Sequence, residues 1–304
     1  MKAKIVIAGG SGFVGQLLSE HFRKGSYEVI VLSRGAQKSK NEIKYIQWDG
    51  KTVGPWVEEL EGSEAVINLT GKSVNCRPTP SNKKEIITSR VDSTEVIGKA
   101  IGQCKTPPKV WINAGGVGVF SGTGRSSNDE NAPLGTDFTA EVARLWEDAF
   151  MKVDTPLTRK VFLRIALVLK KGEGFLQPME LLVKTGMGGT MGSGKQHFPW
   201  IHFEDLIRVF DYVLQQPDMD GIVHGVSPQA VTNASFMRQL RQIIGVPFGI
   251  PAPGFAVKIG AFLIGTNGSL ALSDNHAIPG KLNTVGFTFK FPDLASALRN
   301  LYTR

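Results

Sequence analysis

Cysteine is scarce in this sequence. Cys76 and Cys104 are the only two. They sit in unrelated contexts with no metal-ligand spacing, so neither a disulfide framework nor a zinc module is encoded, and no metal is expected. Both read as reduced thiols of a cytoplasmic protein. Long apolar runs are also lacking. None approaches the ~20 residues that a membrane span needs. The most apolar late segment, Phe255 to Ile264, is broken by Lys258 and is expected to be a buried helix. The first apolar run ends in glycines, which fits a strand and not a secretory leader. Repeats and low-complexity tracts are absent. Lys and Arg outnumber Asp and Glu by 35 to 27, a net charge of +8. The basic residues are dispersed, in short pairs such as Lys83-Lys84 and Lys170-Lys171. Without a dense stripe, neither a nucleic-acid nor a membrane partner is expected.

What is present begins at the first residues. Lys4-Ile5-Val6-Ile7-Ala8 reads as a buried strand. Phe13, Val14, Leu17, Leu18 and Phe22 follow at helical spacing, and Glu28 to Leu32 is a second strand. Between strand and helix lie Gly9, Gly12 and Gly15. Gly9 permits a tight turn, Gly12 lets backbone approach a pyrophosphate at the helix start, and Gly15 allows close packing. The site residues expected here are Gly9, Ser11, Gly12, Phe13 and Val14. After the second strand an acid would hold a ribose 2′-hydroxyl and a base a 2′-phosphate. The residues are Ser33-Arg34, which points to NADP(H) as cofactor.

Strands are expected at Ile43 to Trp48, Ala65 to Leu69, Lys109 to Asn113 and Val161 to Leu169. Helices are expected at Asn82 to Gly102 and Phe138 to Met151. This alternation argues a Rossmann-type, doubly wound parallel sheet of the α/β class. Leu69, Thr70, Gly71 and Asn113 stand at carboxyl ends of strands, where such sheets bind ligands. Gly115 and its neighbours form a loop expected at the nicotinamide end, and residues 121–136 read as a surface loop. After Leu169 the pattern loosens. Helices are expected at Leu176 to Lys184, Phe203 to Leu214 and Thr232 to Ile244, with a short strand at Gly221 to Gly225. Residues 1–165 are therefore taken as the cofactor domain, with 200–225 returning to it. Residues 166–199 and 226–304 make a smaller, mostly helical substrate lobe.

Gly189 to Lys195 matches phosphate-loop spacing, but Gln196 stands where Ser or Thr would hold magnesium, and no strand precedes it. The segment is instead a candidate substrate loop in which Lys195 and His197 meet an anionic group.

Several later motifs are more specific. Gly188-Gly189-Thr190-Met191-Gly192-Ser193-Gly194-Lys195-Gln196 leads into Trp200-Ile201-His202-Phe203-Glu204-Asp205-Leu206. Ser227-Pro228, Thr232-Asn233, Gly286-Phe287 and Pro292-Asp293-Leu294 follow, with Asn68-Leu69-Thr70-Gly71, Ser89-Arg90-Val91 and Trp146-Glu147 upstream. Together they resemble the atypical short-chain dehydrogenase/reductase family labelled predicted nucleoside-diphosphate-sugar epimerases, some members of which are catalogued as cell-division inhibitors. The resemblance covers nearly the whole chain. It implies an NADP(H)-binding domain, a C-terminal lobe over it, and epimerase or oxidoreductase chemistry on a small-molecule substrate.

Short-chain dehydrogenases use a Tyr-x-x-x-Lys pair, in which lysine lowers the tyrosine's pKa for proton exchange. None of the four tyrosines here, Tyr27, Tyr45, Tyr212 and Tyr302, has lysine four residues on. Trp146 stands near where the pair is expected. The remaining proton carriers are Glu141 and Asp137, with Asp129, Glu130 and Glu147 nearby. His202 is a further candidate base, read first as structural, and Asp205 fits a helix start. The alternative is a non-catalytic NADPH-binding regulator. If a tyrosine carried the proton, changing it to Phe would collapse turnover with NADPH binding intact. Tyr27→Phe, Tyr45→Phe, Tyr212→Phe and Tyr302→Phe are each expected to leave turnover unchanged, and steady-state kinetics of the four variants checks this.

Overall fold

Lys4–Ala8 and Glu28–Ser33 are apolar at consecutive positions because both faces of these strands are covered. In the computed structural model, which describes residues 2–25, 27–35, 39, 41–123 and 127–303, Ile5 and Ile7 enter one core cluster and Val6 and Ala8 another. The first half of the chain alternates strand and helix. It runs β1 (Lys4–Ala8), α1 (Phe13–Lys24), β2 (Glu28–Ser33), β3 (Lys44–Gln47), β4 (Ala65–Asn68), α2 (Pro80–Ile101), β5 (Val110–Gly116), α3 (Phe138–Lys152) and β6 (Arg159–Ile165). There follow β7 (Leu167–Lys170), β8 (Glu173–Gly174), α4 (Leu176–Lys184), β9 (His197–Phe198), β10 (Trp200–His202), α5 (Phe203–Gln215) and β11 (Gly221–Gly225). The chain ends with β12 (Val231–Thr232), α6 (Asn233–Ile244), α7 (Gly254–Leu263), α8 (Ser269–Leu272), α9 (Gly280–Thr284) and α10 (Leu294–Tyr302).

Seven strands form one parallel sheet, ordered β11-β6-β5-β4-β1-β2-β3. The order reverses at β1, so β2 and β3 lie on one side of it and β4, β5 and β6 on the other. One face packs α1 and α5, through Leu18, Phe22, Val209 and Phe210. The other packs α2 and α3, through Val96, Ile97, Trp146 and Phe150. Short sheets β10-β7-β8 and β12-β9 belong to the second lobe. There Leu176, Trp200, Phe236, Leu240 and Leu298 make a third core.

Four expectations need correction. The strand expected at Val161 to Leu169 is two strands, because the Ala166 amide turns to the Gly225 carbonyl (3.1 Å) and β7 then pairs with β10. The glycines after Asn113 are not loop: Ala114, Gly115 and Gly116 continue β5 and pair with Leu163, Arg164 and Ile165. Without side chains they admit Phe162, whose ring fills the space of a Cβ on Gly115. The apolar helix α7 is not buried. Phe255, Ile259, Phe262 and Leu263 are 57–71% exposed. The helix turns small residues inward, and Gly268 packs against Val257 and Ala261. Of the loop 121–136, residues 124–126 lie outside the described residues, and Ser121 and Asn128 are buried rather than superficial. Among the described residues no helix is long and apolar enough to cross a membrane.

A buried polar chain ties the sheet to its neighbours. Arg164 on β6 is 1% exposed and meets both carboxylate oxygens of Glu147 on α3 at 3.0 Å. Its other nitrogen lies 3.2 Å from Nε2 of His224 on β11. The Nδ1 of His224 reaches the Ile278 carbonyl at 2.8 Å. Glu130 accepts the backbone amides of His224 and Lys281, both at 3.0 Å. The candidates Glu130 and Glu147 are therefore structural. Removing one partner leaves a buried charge uncompensated, so Glu147→Ala is expected to cost about 3–5 kcal/mol, read from the urea midpoint. Burial also holds His224 and His202 down to about 4, below the ~6.5 of an unfolded chain. The unfolded state then binds more protons below ~6.5. Stability is expected to be full above that pH and to fall as pH drops toward 4, which urea melts across this window measure.

Candidate cofactor and substrate site

The turn from β1 into α1 is built from four glycines with different requirements. Gly9 has φ +76, and a Cβ there would lie 3.0 Å from the Leu69 carbonyl carbon and 3.1 Å from the Thr70 nitrogen. A Cβ on Gly10 would meet the Val31 methyls at 2.9 Å, and one on Gly15 would sit 2.5 Å from the Gly10 Cα. Gly15 thus packs the helix on the turn itself rather than on the strand. Gly12 differs. Its φ is −78, which any residue adopts, and a Cβ on it would come no nearer to protein than 3.5 Å, to the Gly9 oxygen. The protein has no internal need of glycine there, and the space is left for a ligand. Gly12 is also the N-cap of α1 without a side-chain cap, and no acid occupies the first turn. The first-turn amides of the helix therefore lack side-chain acceptors and face that space with a positive dipole.

Ser11 and Gly12 are exposed, and Phe13 and Val14 are half-buried. The Phe13 ring packs under Gly174, where a Cβ would lie 2.9 Å from it. Across the switch point, the Leu69 amide donates to the Ala8 carbonyl at 2.9 Å and extends the pairing of β4 with β1. The Thr70 amide donates to Asn68 Oδ1 at 3.0 Å, while the Thr70 hydroxyl is buried without a hydrogen-bond partner among the described residues. A buried, unspent hydroxyl beside an open glycine turn suits a phosphate or ribose oxygen. Gly71 is pinned by the Arg90 guanidinium, 2.9 Å from where its Cβ would be. Arg90 donates to the carbonyls of Lys72 and Ile86 at 2.8 and 2.9 Å and lies over Trp146. Burial lowers its pKa to about 10.

Asn113 does not reach the open cleft. It is fully buried, and its Oδ1 accepts from Asn68 Nδ2 at 2.7 Å. It aligns the ends of β4 and β5 from below. At the other end of the site Arg34 is exposed just after β2. The Ser33 hydroxyl is turned back onto the Gly35 carbonyl at 3.0 Å.

Beyond β5 three segments converge. The Asn275 amide donates to the Val117 carbonyl at 2.6 Å. Ser121 bonds both Asp137 and Ser273. Gln196 Nε2 donates to the Met191 and Ala271 carbonyls at 2.8 and 3.0 Å. His197 is brought to Asp274, with Nδ1 2.9 Å from Oδ1, and its ring stacks on His276 at 4.4 Å. Lys195 is exposed on the same loop. Asp137 caps α3 through the Ala140 amide at 2.9 Å, and Glu141 is exposed on the next turn. Asp129 binds its own loop at the Asn131 amide. His202 caps α5 at the Glu204 amide, and Asp205 is fully buried against the Lys290 and Phe291 amides. Asp274 and His276 escaped notice in the sequence because Asp274 lies 77 positions from its partner His197. One signal was available: Asp274 is the first carboxylate after Asp220. The tyrosines are elsewhere. Tyr27 faces Glu64 and Lys109 at the opposite sheet edge, Tyr45 is on β3, Tyr212 packs on Phe287, and Tyr302 donates to Glu180 at 2.6 Å.

Comparison with known proteins agrees with this arrangement. Residues 5–140 match the NAD dependent epimerase/dehydratase family, and residues 252–301 match a domain of unknown function, DUF1731. Epimerase family protein SDR39U1 of Mus musculus is 31% identical, with 98% of this chain and 99% of the relative covered. Epimerase family protein YfhF of Bacillus subtilis is 31% identical, with 98% and 97% covered. The crystal structure of human SDR39U1 (isoform 2) with NADPH superposes with a TM-score of 0.88 at 29% identity, covering 99% of each chain. Over its whole length, then, the chain belongs to the SDR39U1-type epimerase family of atypical short-chain dehydrogenases/reductases.

Proposed function

We propose that this chain binds NADP(H) along the carboxyl edge of β1, β2, β4 and β5 and uses it on a hydroxyl or carbonyl carbon of a small molecule, a nucleotide sugar or a related alcohol. The cofactor reading rests on one observation above the others: Gly12, which the protein itself does not require to be glycine, opens a space in front of the α1 amides. The buried, unpartnered Thr70 hydroxyl fits the same ligand, and Arg34 stands where a 2′-phosphate would lie. The related human protein is crystallised with NADPH. When bound, the nicotinamide supplies hydride transfer. The chain's own part is to hold the pyrophosphate at α1, to select the phosphate through Arg34, and to place a proton carrier beyond β5. No nucleic-acid or membrane partner enters this reading, and the cytoplasm is its setting. A second reading, an NADPH-binding regulator without turnover, is favoured by the missing Tyr-x-x-x-Lys pair.

NADPH is expected to bind more tightly than NADH. Arg34→Ala should remove most of the preference, of order tenfold or more, because a charge-assisted hydrogen bond contributes about 1.5–3 kcal/mol. Fluorescence titration with both cofactors measures this, and equal affinities in the unaltered chain would refute it. Gly12→Val is expected to melt cooperatively near the parent temperature and to lose cofactor binding, since its side chain enters ligand space and not protein.

A further inference from the structure

We propose that His197 and His276, oriented by Asp274, form the site that receives the substrate oxygen. The proposal rests on the cofactor reading above, which fixes where the nicotinamide lies.

Three observations carry it. The first is orientation. Asp274 Oδ1 accepts from the His197 backbone amide at 2.8 Å and stands 2.9 Å from its Nδ1. A carboxylate only accepts, so Nδ1 bears the hydrogen and Nε2 keeps its lone pair. The second is the neighbour. The His276 ring lies nearly parallel to His197, at 18°, and its Nδ1 is buried with no hydrogen-bond partner among the described residues. A nitrogen left unsatisfied in this way is a cost the fold does not need. The third is position. Asp274 and His276 flank Asn275, which is tied to the Val117 carbonyl in the turn after β5. The Gly122 amide donates to the Asp274 carbonyl at 3.3 Å and the Asn128 amide to the His276 carbonyl at 2.8 Å. In an open parallel sheet whose order reverses beside β1, the adenosine half lies over β2 and the nicotinamide half over β4 and β5. The imidazoles are thus anchored to the loop that borders the nicotinamide end.

Their exposure fits a site and not a brace. The His197 and Asp274 side chains are 28% and 41% exposed, and a pair that open contributes little to stability. The chemistry follows from the tautomer. As a secondary alcohol loses hydride from carbon to the nicotinamide, its O–H bond breaks, the proton passes to His197 Nε2, and the C=O bond forms. The imidazolium is held by Asp274. In the return direction the same proton and a hydride go back, which is reduction of a ketone or, on the opposite face, inversion of the carbon. His276 backs the His197 ring by stacking on it. The substrate class is a secondary alcohol or its ketone, and no tyrosine takes part.

The test observes the imidazoles directly and needs no substrate. The chain has five histidines, so ¹³C,¹⁵N-histidine labelling gives a resolvable set, and His197→Asn and His276→Asn assign the two signals. In the free protein His197 is expected as the Nδ1–H tautomer, and Asp274→Asn is expected to abolish that preference. Saturating NADP⁺ is expected to shift the His197 and His276 signals several-fold more than that of His21, which pairs with Asp211 between α1 and α5. Adenosine 2′,5′-bisphosphate, which fills the adenosine half alone, is expected to shift neither. Signals that stay still under bound NADP⁺, or that move equally with the bisphosphate, overturn the proposal. NADP⁺ binding is followed separately by fluorescence. A chain that binds no NADP⁺ refutes the cofactor reading, and this proposal falls with it, a result distinct from bound cofactor with silent histidines.

Discussion

The steric constraint on which the site depends is the closeness of β1, its turn and α1. A helix presents its free amides to a phosphate only if the strand before it turns sharply and the helix begins at once. Here that closeness is enforced by glycines with no room for a side chain: Gly9 against Leu69 and Thr70, Gly10 against Val31, and Gly15 against Gly10. These three contacts aim α1 along the carboxyl edge of the sheet. They also join the turn to β2 and β4, the strands on either side of β1. Gly12 can then be spared from packing and left to a ligand. The Asn68–Asn113 bond continues the same construction sideways, since it sets the end of β4 against the end of β5.

This part of the molecule was legible in the sequence because its causes are local. Strands buried on both faces read as near-continuous apolar runs, and Ile5-Val6-Ile7-Ala8 and Val29-Ile30-Val31-Leu32 show this directly. A glycine trio between such a strand and an amphipathic helix is also a local signal. The roles of the individual glycines were only partly readable. Gly15 was expected to bring helix to strand, whereas its near contact is the Gly10 Cα. Asn113 was expected to face the cofactor, and its position at a strand end was right, but the partner that buries its side chain, Asn68, is a residue of another strand.

The second lobe was less legible because its determinants are distant in sequence. A run such as Phe255 to Ile264 has enough hydrophobicity for a core, and only tertiary packing decides which side turns inward. Here the small residues do, so the large ones face out. The strand break at Ala166 was hidden in the same way. Val161 to Leu169 is apolar except for Arg164, and what divides it is the Gly225 carbonyl drawing the Ala166 amide aside. The pairing of His197 with Asp274 could not be found by spacing.

The loss of the usual tyrosine pair and the gain of this histidine cluster are linked by geometry. The expected place for tyrosine is on the helix after β5, and Trp146 there is spent on structure. Its Nε1 donates to Thr94 at 2.9 Å, and its ring lies beneath the Arg90 guanidinium that pins Gly71. A tyrosine in that place would forgo this support of the β4 end. The His197–Asp274 pair proposed above stands on the segments at 195–197 and 273–276, which Ser121 joins to the start of α3 by bonding both Ser273 and Asp137. An imidazole whose Nδ1 already faces a carboxylate is oriented without a lysine, which is how that proposal and the missing Tyr-x-x-x-Lys pair agree. On that proposal the lysine of Tyr-x-x-x-Lys has no tyrosine to act on, and its absence agrees with that of its tyrosine.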